Sequence, residues 1–91
     1  MDFEWDEAKS KRNHIERGLP FDLAIELFKG RTVDQADRRH DYGERRMRTI
    51  GSAGGQVLVC VWTDRGSVRR IISLRPANRK ERDGYRTTHP G

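Results

Sequence analysis

The longest uninterrupted apolar segment of the chain is Val57–Trp62, which follows a glycine-rich turn and precedes Thr63-Asp64-Arg65-Gly66. A short apolar run between turn signals is typical of a buried central strand, and the polar tetrapeptide predicts a hairpin. The next segment, Ser67–Arg75, alternates in polarity and predicts a second strand that Pro76 ends. Its predicted inward face consists of Val68, Arg70, Ile72 and Leu74, and its opposite face of Arg69, Ile71, Ser73 and Arg75.

Two helices are predicted before the sheet. Asp6 is suited to cap the first helix, which runs to Arg17 and stops at Gly18. Pro20 begins the second helix, which ends at Gly30. The apolar stripe of the first helix is predicted to consist of Trp5, Ala8, Ile15 and Leu19. The face of the second has helical i, i+3, i+4, i+7 spacing and consists of Phe21, Ala24, Ile25 and Phe28.

The remaining segments complete a single predicted domain of the α+β class. The further predicted elements are an extended start at Phe3-Glu4-Trp5, strands at Arg31–Gln35 and Arg45–Ile50, a charged loop at Ala36–Gly43 and a short helix at Arg79–Arg86. Asn78 is suited to cap that helix, and residues 87–91 are expected to form a frayed tail. The predicted fold is thus two N-terminal helices, an antiparallel sheet of about four strands and a short C-terminal helix.

Size and composition exclude several classes of protein. A chain of 91 residues and 10.6 kDa has room for one small core. Its single cysteine, Cys60, cannot form an internal disulfide or a cysteine-based zinc site, and we expect an inert buried thiol. No segment is apolar enough to cross a membrane, and the acidic start MDFEWDE lacks a secretion signal, so we expect a cytoplasmic protein. The histidines have no paired metal-ligand spacing, and we expect neither a metal nor a cofactor.

Charge is distributed unevenly along the chain, whose formal net charge is +5 and whose pI is about 10.0. The first 43 residues carry 8 basic and 10 acidic side chains, whereas the remainder carries 11 basic and 4 acidic ones. Of these 11 basic residues, only Lys80 is not an arginine. Because the planar guanidinium binds phosphate in a two-pronged geometry, the second part of the chain is predicted to bind a polyanion. The alternative is a basic surface that serves solubility alone.

Four segments of the chain carry a family resemblance. They are, in order, FEWDEAKSKRN, GLPFDLAIELF, DYGERRMRTIG and RIISLRPANRKERDGY, and they extend over nearly the whole chain to Tyr85. Together they resemble the BrnT family of toxins from bacterial type II toxin–antitoxin systems. The sequence departs from the family pattern at Arg45, where an acidic residue is frequent, at Leu74, where alanine is usual, and at Pro20, where serine is usual. The first departure changes the charge near the predicted site.

The resemblance implies a fold, an activity and a partner. The fold would be RelE-like, and the activity would be that of a metal-independent endoribonuclease that cleaves mRNA, either free or on the ribosome, and arrests translation. The partner would be a small BrnA-like antitoxin with a ribbon-helix-helix DNA-binding domain. Contact with DNA would then occur only through the antitoxin.

The chemistry of RNA cleavage without a metal selects candidate residues. It requires a base for the 2′-hydroxyl proton, cations for the charge on the phosphate oxygens and an acid for the 5′ oxygen. Arginine stays protonated, so the base is sought among Glu44, Glu81, His40 and Tyr85. We favour Glu44, because it stands two residues before Arg46 at the entry to a strand, so that both point to one face. The alternative is a salt bridge on a solvated face. His40 is a further candidate for the acid.

The last strand and the last helix supply the other candidates. Arg75 is predicted to hold the transition-state phosphate, or alternatively to order the following helix. The antiparallel meander is expected to bring Arg75 within reach of Glu44 and Arg46, so that these three residues form the centre of the predicted site. Ser73 lies on the same strand face as Arg75 and is expected to donate a hydrogen bond rather than act as a nucleophile. Glu81 and Tyr85 are i, i+4 neighbours. Tyr85 either stacks on a base or donates a proton, or alternatively packs as a lid. The further predicted RNA-binding residues are Arg45, Arg48, Arg65, Arg70, Arg79 and Arg82.

The sequence leaves three alternatives open. Arg70 points with apolar residues, so it lies either at the margin of the core or in the site. The function is either that of a ribonuclease toxin or that of a noncatalytic basic module that binds nucleic acid or an acidic protein. Trp5 and Trp62 are expected in the core or an interface, with stacking on RNA as the alternative.

Overall fold

In the computed structural model, which describes residues 1–39 and 41–90, the chain forms three helices and five strands. In chain order these elements are β1 (Asp2–Glu4), α1 (Glu7–Arg17), α2 (Leu23–Lys29), β2 (Thr32–Ala36), β3 (Met47–Ala53), β4 (Gln56–Arg65), β5 (Val68–Pro76) and α3 (Arg79–Thr88). The α+β class is confirmed. His40, the candidate acid, lies outside the described residues.

The sheet has the strand order β1-β5-β4-β3-β2 and is mixed. Strands β2 to β5 form the predicted antiparallel meander, with β4 at its centre. The extended start is a fifth strand, because β1 pairs with β5 in parallel, with Phe3 opposite Arg69. The prediction of about four antiparallel strands therefore missed this edge strand, whose pairing depends on residues far away in the sequence.

One face of the sheet packs against α1 and α2, and we call it the helix face. Its buried cluster contains Leu19, Phe21, Ala24, Leu27, Ala53, Leu58, Cys60, Trp62, Ile71 and Leu74. The predicted central strand is confirmed, since Leu58 to Thr63 are all buried. Trp62 is a core residue, and its Nε1 donates a hydrogen bond of 2.7 Å to Oγ1 of Thr49. Trp5 also packs against this cluster.

Helix α1 has the predicted ends but a different buried face. The side chain of Asp6 accepts hydrogen bonds from the amides of Ala8 and Lys9, and Gly18 ends the helix in the left-handed conformation. Ile15, predicted to be buried, is 78% exposed. The inward contacts are polar instead, because Asn13 donates hydrogen bonds to the backbone oxygens of Leu19 and Leu74. The predicted apolar stripe is therefore confirmed for Trp5 and Leu19, which flank α1, and wrong for Ile15 and Ala8, which are exposed.

Helix α2 is shorter than predicted and begins at Leu23 rather than next to Pro20. Phe21 and Ala24 are buried as expected, but the deepest contact comes from Leu27, which the predicted face omitted in favour of Ile25. Leu27 lies against Gly51 of β3, where a Cβ atom would come within 2.8 Å of the Leu27 Cγ. The absence of a side chain at Gly51 therefore allows α2 to approach the sheet.

Strand β5 contains a bulge that reverses the predicted faces of its first half. Val61 pairs with Ser73, whereas Trp62 pairs with Ile71, which leaves Ile72 as an extra residue. Ile71 and Leu74 consequently both lie on the helix face. Arg70 lies on the other face, opposite Thr63, and not in the core. Strict alternation therefore assigned Arg70 and Leu74 to the same face wrongly.

Helix α3 covers part of the second sheet face and is longer than predicted. Asn78 and Glu81 form a reciprocal capping box at its start. Ile50, Val59 and Ala77 form a small cluster beneath it, against which Tyr85 packs. Thr87 and Thr88, expected in a frayed tail, are helical, so this part of the prediction is wrong.

Candidate functional site

The sheet face opposite the helix face carries Arg48, Arg65, Arg70, Ser73 and Arg75, and we call it the arginine face. Two rows of directly opposed residues define its centre. The first row runs Gln35, Arg48, Val61, Ser73 across β2 to β5, and the second runs Val33, Ile50, Val59, Arg75. Opposed residues in a sheet project to the same side, so these side chains share one surface. Residues predicted from separate segments are therefore brought together.

Arg75 is held by a carboxylate from α3. Its Nη1 and Nη2 donate to Oε1 and Oε2 of Glu81 at 2.8 and 2.9 Å. This two-pronged bond holds the pKa of the Glu81 carboxyl at about 2, below its ordinary 4.5, and raises the pKa of Arg75. The predicted alternative for Arg75, ordering the following helix, is thus one of its roles in the free protein.

Glu44 pairs with two arginines at the other end of the arginine face. Nη2 of Arg46 lies 3.2 Å from Oε1 of Glu44, and Nη2 of Arg65 lies 4.0 Å from Oε2. The predicted proximity of Glu44 and Arg46 is present, although both residues precede β3 rather than belong to it. The salt-bridge alternative for this pair describes the geometry of the free protein.

The strand register places Glu44 and Arg46 at one end of the arginine face and Arg75 at the other, so these residues do not form the single centre that was predicted. Arg65, the partner of Glu44, stands six residues along β4 from Val59, which is opposite Arg75. At about 3.3 Å per residue the two ends lie about 20 Å apart. Glu44 therefore cannot act as the base for a phosphate that is bound at Arg75. Ser73, next but one to Arg75, lies on the same face as Arg75 and one row nearer to Arg65.

The segment after β2 contains an ion pair between a buried carboxylate and an exposed guanidinium, which was not predicted from the sequence. The side chain of Asp37, only 1% exposed, accepts hydrogen bonds from Nε and Nη2 of Arg39 at 2.8 and 2.9 Å. Arg39 lowers the pKa of Asp37 to about 2, and its positive charge also acts on Arg75. The predicted charged loop thus carries a positioned guanidinium. An Asp and an Arg two residues apart, directly after a strand, were the available signal.

The other predicted residues lie away from Arg75 or serve the fold. Tyr85 donates a hydrogen bond of 2.9 Å to the backbone oxygen of Arg31, which matches the packing alternative. Arg82 donates to the backbone oxygen of Ala77, and the Arg79 side chain is 89% exposed. The backbone oxygen of Arg45 accepts a hydrogen bond from Thr63. Arg70 pairs with Glu4 at 3.7 Å on the arginine face.

The chemistry available to this face is that of guanidinium and carboxylate groups. Across residues 1–39 and 41–90, no group of three or more histidine, cysteine or acidic side chains is placed to hold a metal ion.

Burial raises the pKa of the Cys60 thiol to about 12, in line with the expected inert cysteine. In the described part of the chain, no helix is long and apolar enough to span a membrane.

The comparisons with known proteins identify the family of the chain. The family model described as "Ribonuclease toxin, BrnT, of type II toxin-antitoxin system" matches residues 5–81. No curated protein matched the chain significantly. The matched range includes most of the 91 residues and the greater part of all four segments on which the resemblance was based. The chain belongs to the BrnT family of ribonuclease toxins of type II toxin–antitoxin systems.

Proposed function

We propose that this protein cleaves mRNA without a metal ion, arrests translation, and is neutralised by a BrnA-like antitoxin. The observation that carries the proposal is the Arg75 guanidinium, fixed by Glu81 in a two-pronged bond and followed along the face by Ser73. A planar guanidinium that binds two carboxylate oxygens in this way can bind two oxygens of a phosphate in the same geometry when the phosphate takes the place of the carboxylate. The activity belongs in the cytoplasm, where mRNA is translated.

The proposed reaction is an internal phosphoryl transfer. The 2′ oxygen of the RNA attacks the adjacent phosphorus, and the bond from phosphorus to the 5′ oxygen breaks. The products are a 2′,3′-cyclic phosphate and a 5′-hydroxyl end. Arg75 stabilises the charge that develops on the non-bridging oxygens, and the Ser73 hydroxyl donates a hydrogen bond to the same phosphate. The 5′ oxygen takes its proton from solvent, to which this face is open.

Glu81 is our proposed proton acceptor, in place of Glu44. A carboxylate with a pKa of about 2 is a weak base, but this value depends on the bond to Arg75. When a phosphate displaces Glu81 from Arg75, the carboxylate loses that bond and its pKa rises toward 4.5. Substrate binding therefore strengthens the base beside the 2′-hydroxyl. Glu44 instead positions Arg46 and Arg65 for phosphates further along the RNA.

Antitoxin binding is proposed to use the same surface. A BrnA-like protein with an acidic or amphipathic segment would cover the arginine face and exclude RNA, while its own DNA-binding domain makes any contact with DNA. RNA and antitoxin should then compete. Simultaneous binding of both would contradict this assignment.

The test is cleavage of a single-stranded RNA by the purified protein in the presence of a chelator. We expect Arg75→Ala to lose about 100- to 1,000-fold in rate, the usual cost of removing one transition-state donor. Arg75→Lys should retain less than the wild type because lysine lacks the two-pronged geometry. RNA affinity should fall far less than the rate.

The matched control is Arg12→Ala, which removes an equal charge from an exposed side chain of α1, on the helix face side of the molecule. Its rate should stay within about twofold of the wild type, because the substitution lies away from the arginine face and exposed positions tolerate substitution. RNA that stays intact with the wild type, with and without ribosomes, would refute the proposal. A loss of binding in proportion to charge, without any cleavage, would instead support the noncatalytic module.

A further inference from the structure

A cleft of about 500 Å³ lies between α3 and the part of the arginine face formed by β2 and β3. Its walls include Val33, Gln35, Arg48, Ile50, Gly84 and Tyr85. This volume falls within the range of about 300–1,000 Å³ that is usual for small-molecule sites. The proposed cleavage reaction assigns no role to this cleft.

The cleft has an apolar floor on the sheet and, next to Gly84 of α3, space that no side chain fills. Val33 and Ile50 are directly opposed on β2 and β3 and form the floor. Gly84 lines the opposite side, on α3, and a Cβ atom placed there would meet no atom within 4 Å. A flat ring could therefore enter between the floor and the helix, where Tyr85 offers an aromatic wall.

On the side of β2 and β3, the polar groups that a ligand would meet in the cleft are hydrogen-bond donors. The acceptors on the side of α3 are already bonded, because Glu81 binds Arg75 and the amide of Asn78, and the Asn78 side-chain oxygen accepts from the amide of Glu81. Nη2 of Arg48 donates to Oε1 of Gln35 at 2.8 Å, and this bond leaves the NH₂ of the Gln35 amide able to donate to a ligand. Among the described residues no carboxylate lies within ion-pair distance of Arg48, and its buried Nε has no hydrogen-bond partner. Arg48 thus differs from the carboxylate-paired Arg70 and Arg75. The cleft is complementary to a ligand that presents acceptors.

The cleft adjoins the proposed cleavage site. Val33 and Ile50 belong to the same row as Arg75, and Gln35 and Arg48 to the same row as Ser73. Strands β3 and β5 lie two strand spacings apart, about 10 Å. Glu81 connects the two places, because it lines the cleft and binds Arg75.

We propose that this cleft binds one nucleobase of the RNA substrate, next to the phosphate at Arg75, and selects keto bases. This inference rests on the proposed function. Guanine presents its O6 and uracil its O4 as acceptors to the donors of Gln35 and Arg48, whereas adenine and cytosine carry a donating amino group, N6 or N4, at the corresponding position. The cleft thereby determines at which nucleotides the RNA is cut.

The first experiment measures binding without cleavage. The four nucleoside 3′-monophosphates are titrated into the wild-type protein, and backbone amide shifts are followed by NMR. We expect the guanosine and uridine nucleotides to shift Gln35 and Gly84 and to bind about tenfold more tightly than the other two, a modest value for base hydrogen bonds. Equal affinities for all four, or shifts at Arg75 without shifts at Gln35 and Gly84, would overturn the proposal.

The second experiment fills the cleft. Gly84→Leu places a side chain in the open space. The matched control is Thr87→Leu, which adds the same side chain at an exposed position of α3 that does not line the cleft. We expect Gly84→Leu to reduce cutting at keto bases at least about tenfold, the loss of one base contact, while Thr87→Leu cuts as the wild type does. An unchanged pattern of RNA ends in a folded Gly84→Leu variant would overturn the proposal.

The two experiments separate this inference from the function on which it rests. Selective binding of the guanosine and uridine nucleotides at Gln35 and Gly84, without any RNA cleavage, would refute the proposed function and support the cleft. Cleavage that depends on Arg75 but shows no base preference would support the function and refute the cleft.

Discussion

The ion pair between Glu81 and Arg75 connects α3 to the sheet, and its contribution to stability follows from its geometry. The perturbation that isolates it is Glu81→Gln. Glutamine keeps the length of the side chain and can still accept the capping hydrogen bond from the amide of Asn78. The substitution therefore removes the negative charge and leaves the helix cap intact.

The magnitude follows from the pKa of Glu81. Lowering it from 4.5 to about 2 corresponds to at most about 3 kcal/mol of extra stability for the folded, charged form. The Arg75 side chain is one-third exposed, so solvent screening reduces the expected value to about 1–2 kcal/mol. Because the folded pKa is depressed, this stability is present above about pH 5 and is lost as the pH falls toward 2.

The assay is urea denaturation of the wild type, Glu81→Gln and the control Glu16→Gln, whose glutamate is exposed on α1. At about pH 7 we expect Glu81→Gln to lower the free energy of unfolding by about 1–2 kcal/mol and Glu16→Gln by less than about 0.5 kcal/mol. At about pH 3 roughly half of the Glu81 difference should disappear. A Glu81→Gln variant as stable as the wild type at about pH 7, or a difference that persists unchanged in acid, would refute the reasoning.

Three further predictions concern the core. Gly51→Ala should lower the free energy of unfolding by about 1–3 kcal/mol, measured in urea, because its Cβ atom would collide with Leu27; a stability equal to the wild type would show that α2 shifts freely. Thr49→Val should cost about 1–3 kcal/mol in the same assay, because it leaves the indole nitrogen of Trp62 buried without its partner. Cys60 should not react with a thiol reagent at about pH 8 until the protein is unfolded, and rapid labelling of the native protein would contradict its burial.

The features that the sequence predicted well depend on neighbouring residues. The caps at Asp6 and Asn78 need only a side chain and an amide two or three positions away. The continuous apolar run Val57–Trp62 predicts a strand on its own. The observed strand β4 contains this run together with one residue before it and three after it. Such signals are contained in a few consecutive residues, and this explains why these elements were predicted.

The features that the sequence did not predict depend on distant partners. The bulge at Ile72 appears only when β5 is paired with β4, and this one residue decides that Arg70 belongs to the arginine face. The partner of β1 is a strand more than sixty positions away. Glu44 and Arg75 were grouped because both stand on strands of one meander, but only the register reveals how far apart they lie. The burial of Asp37 could not be read from a loop rich in charge.

Carboxylates neutralise most of the arginine face, and this should weaken the dependence of RNA binding on salt. Of its arginines, Arg65, Arg70 and Arg75 have a carboxylate within ion-pair distance, whereas Arg48 has none among the described residues. If all four neutralised phosphates independently, log K would fall against log salt with a slope of about −3, at about 0.7 per contact for single strands. A phosphate that displaces a carboxylate releases fewer ions on balance, because the freed carboxylate remains close to the RNA. We therefore expect a slope near −1 for a non-cleavable 2′-deoxy oligonucleotide, measured by fluorescence anisotropy, and a steeper slope when Glu81→Gln and Glu4→Gln remove two of the competing charges. A wild-type slope of about −3 that these substitutions leave unchanged would mean that the ion pairs do not compete with the nucleic acid.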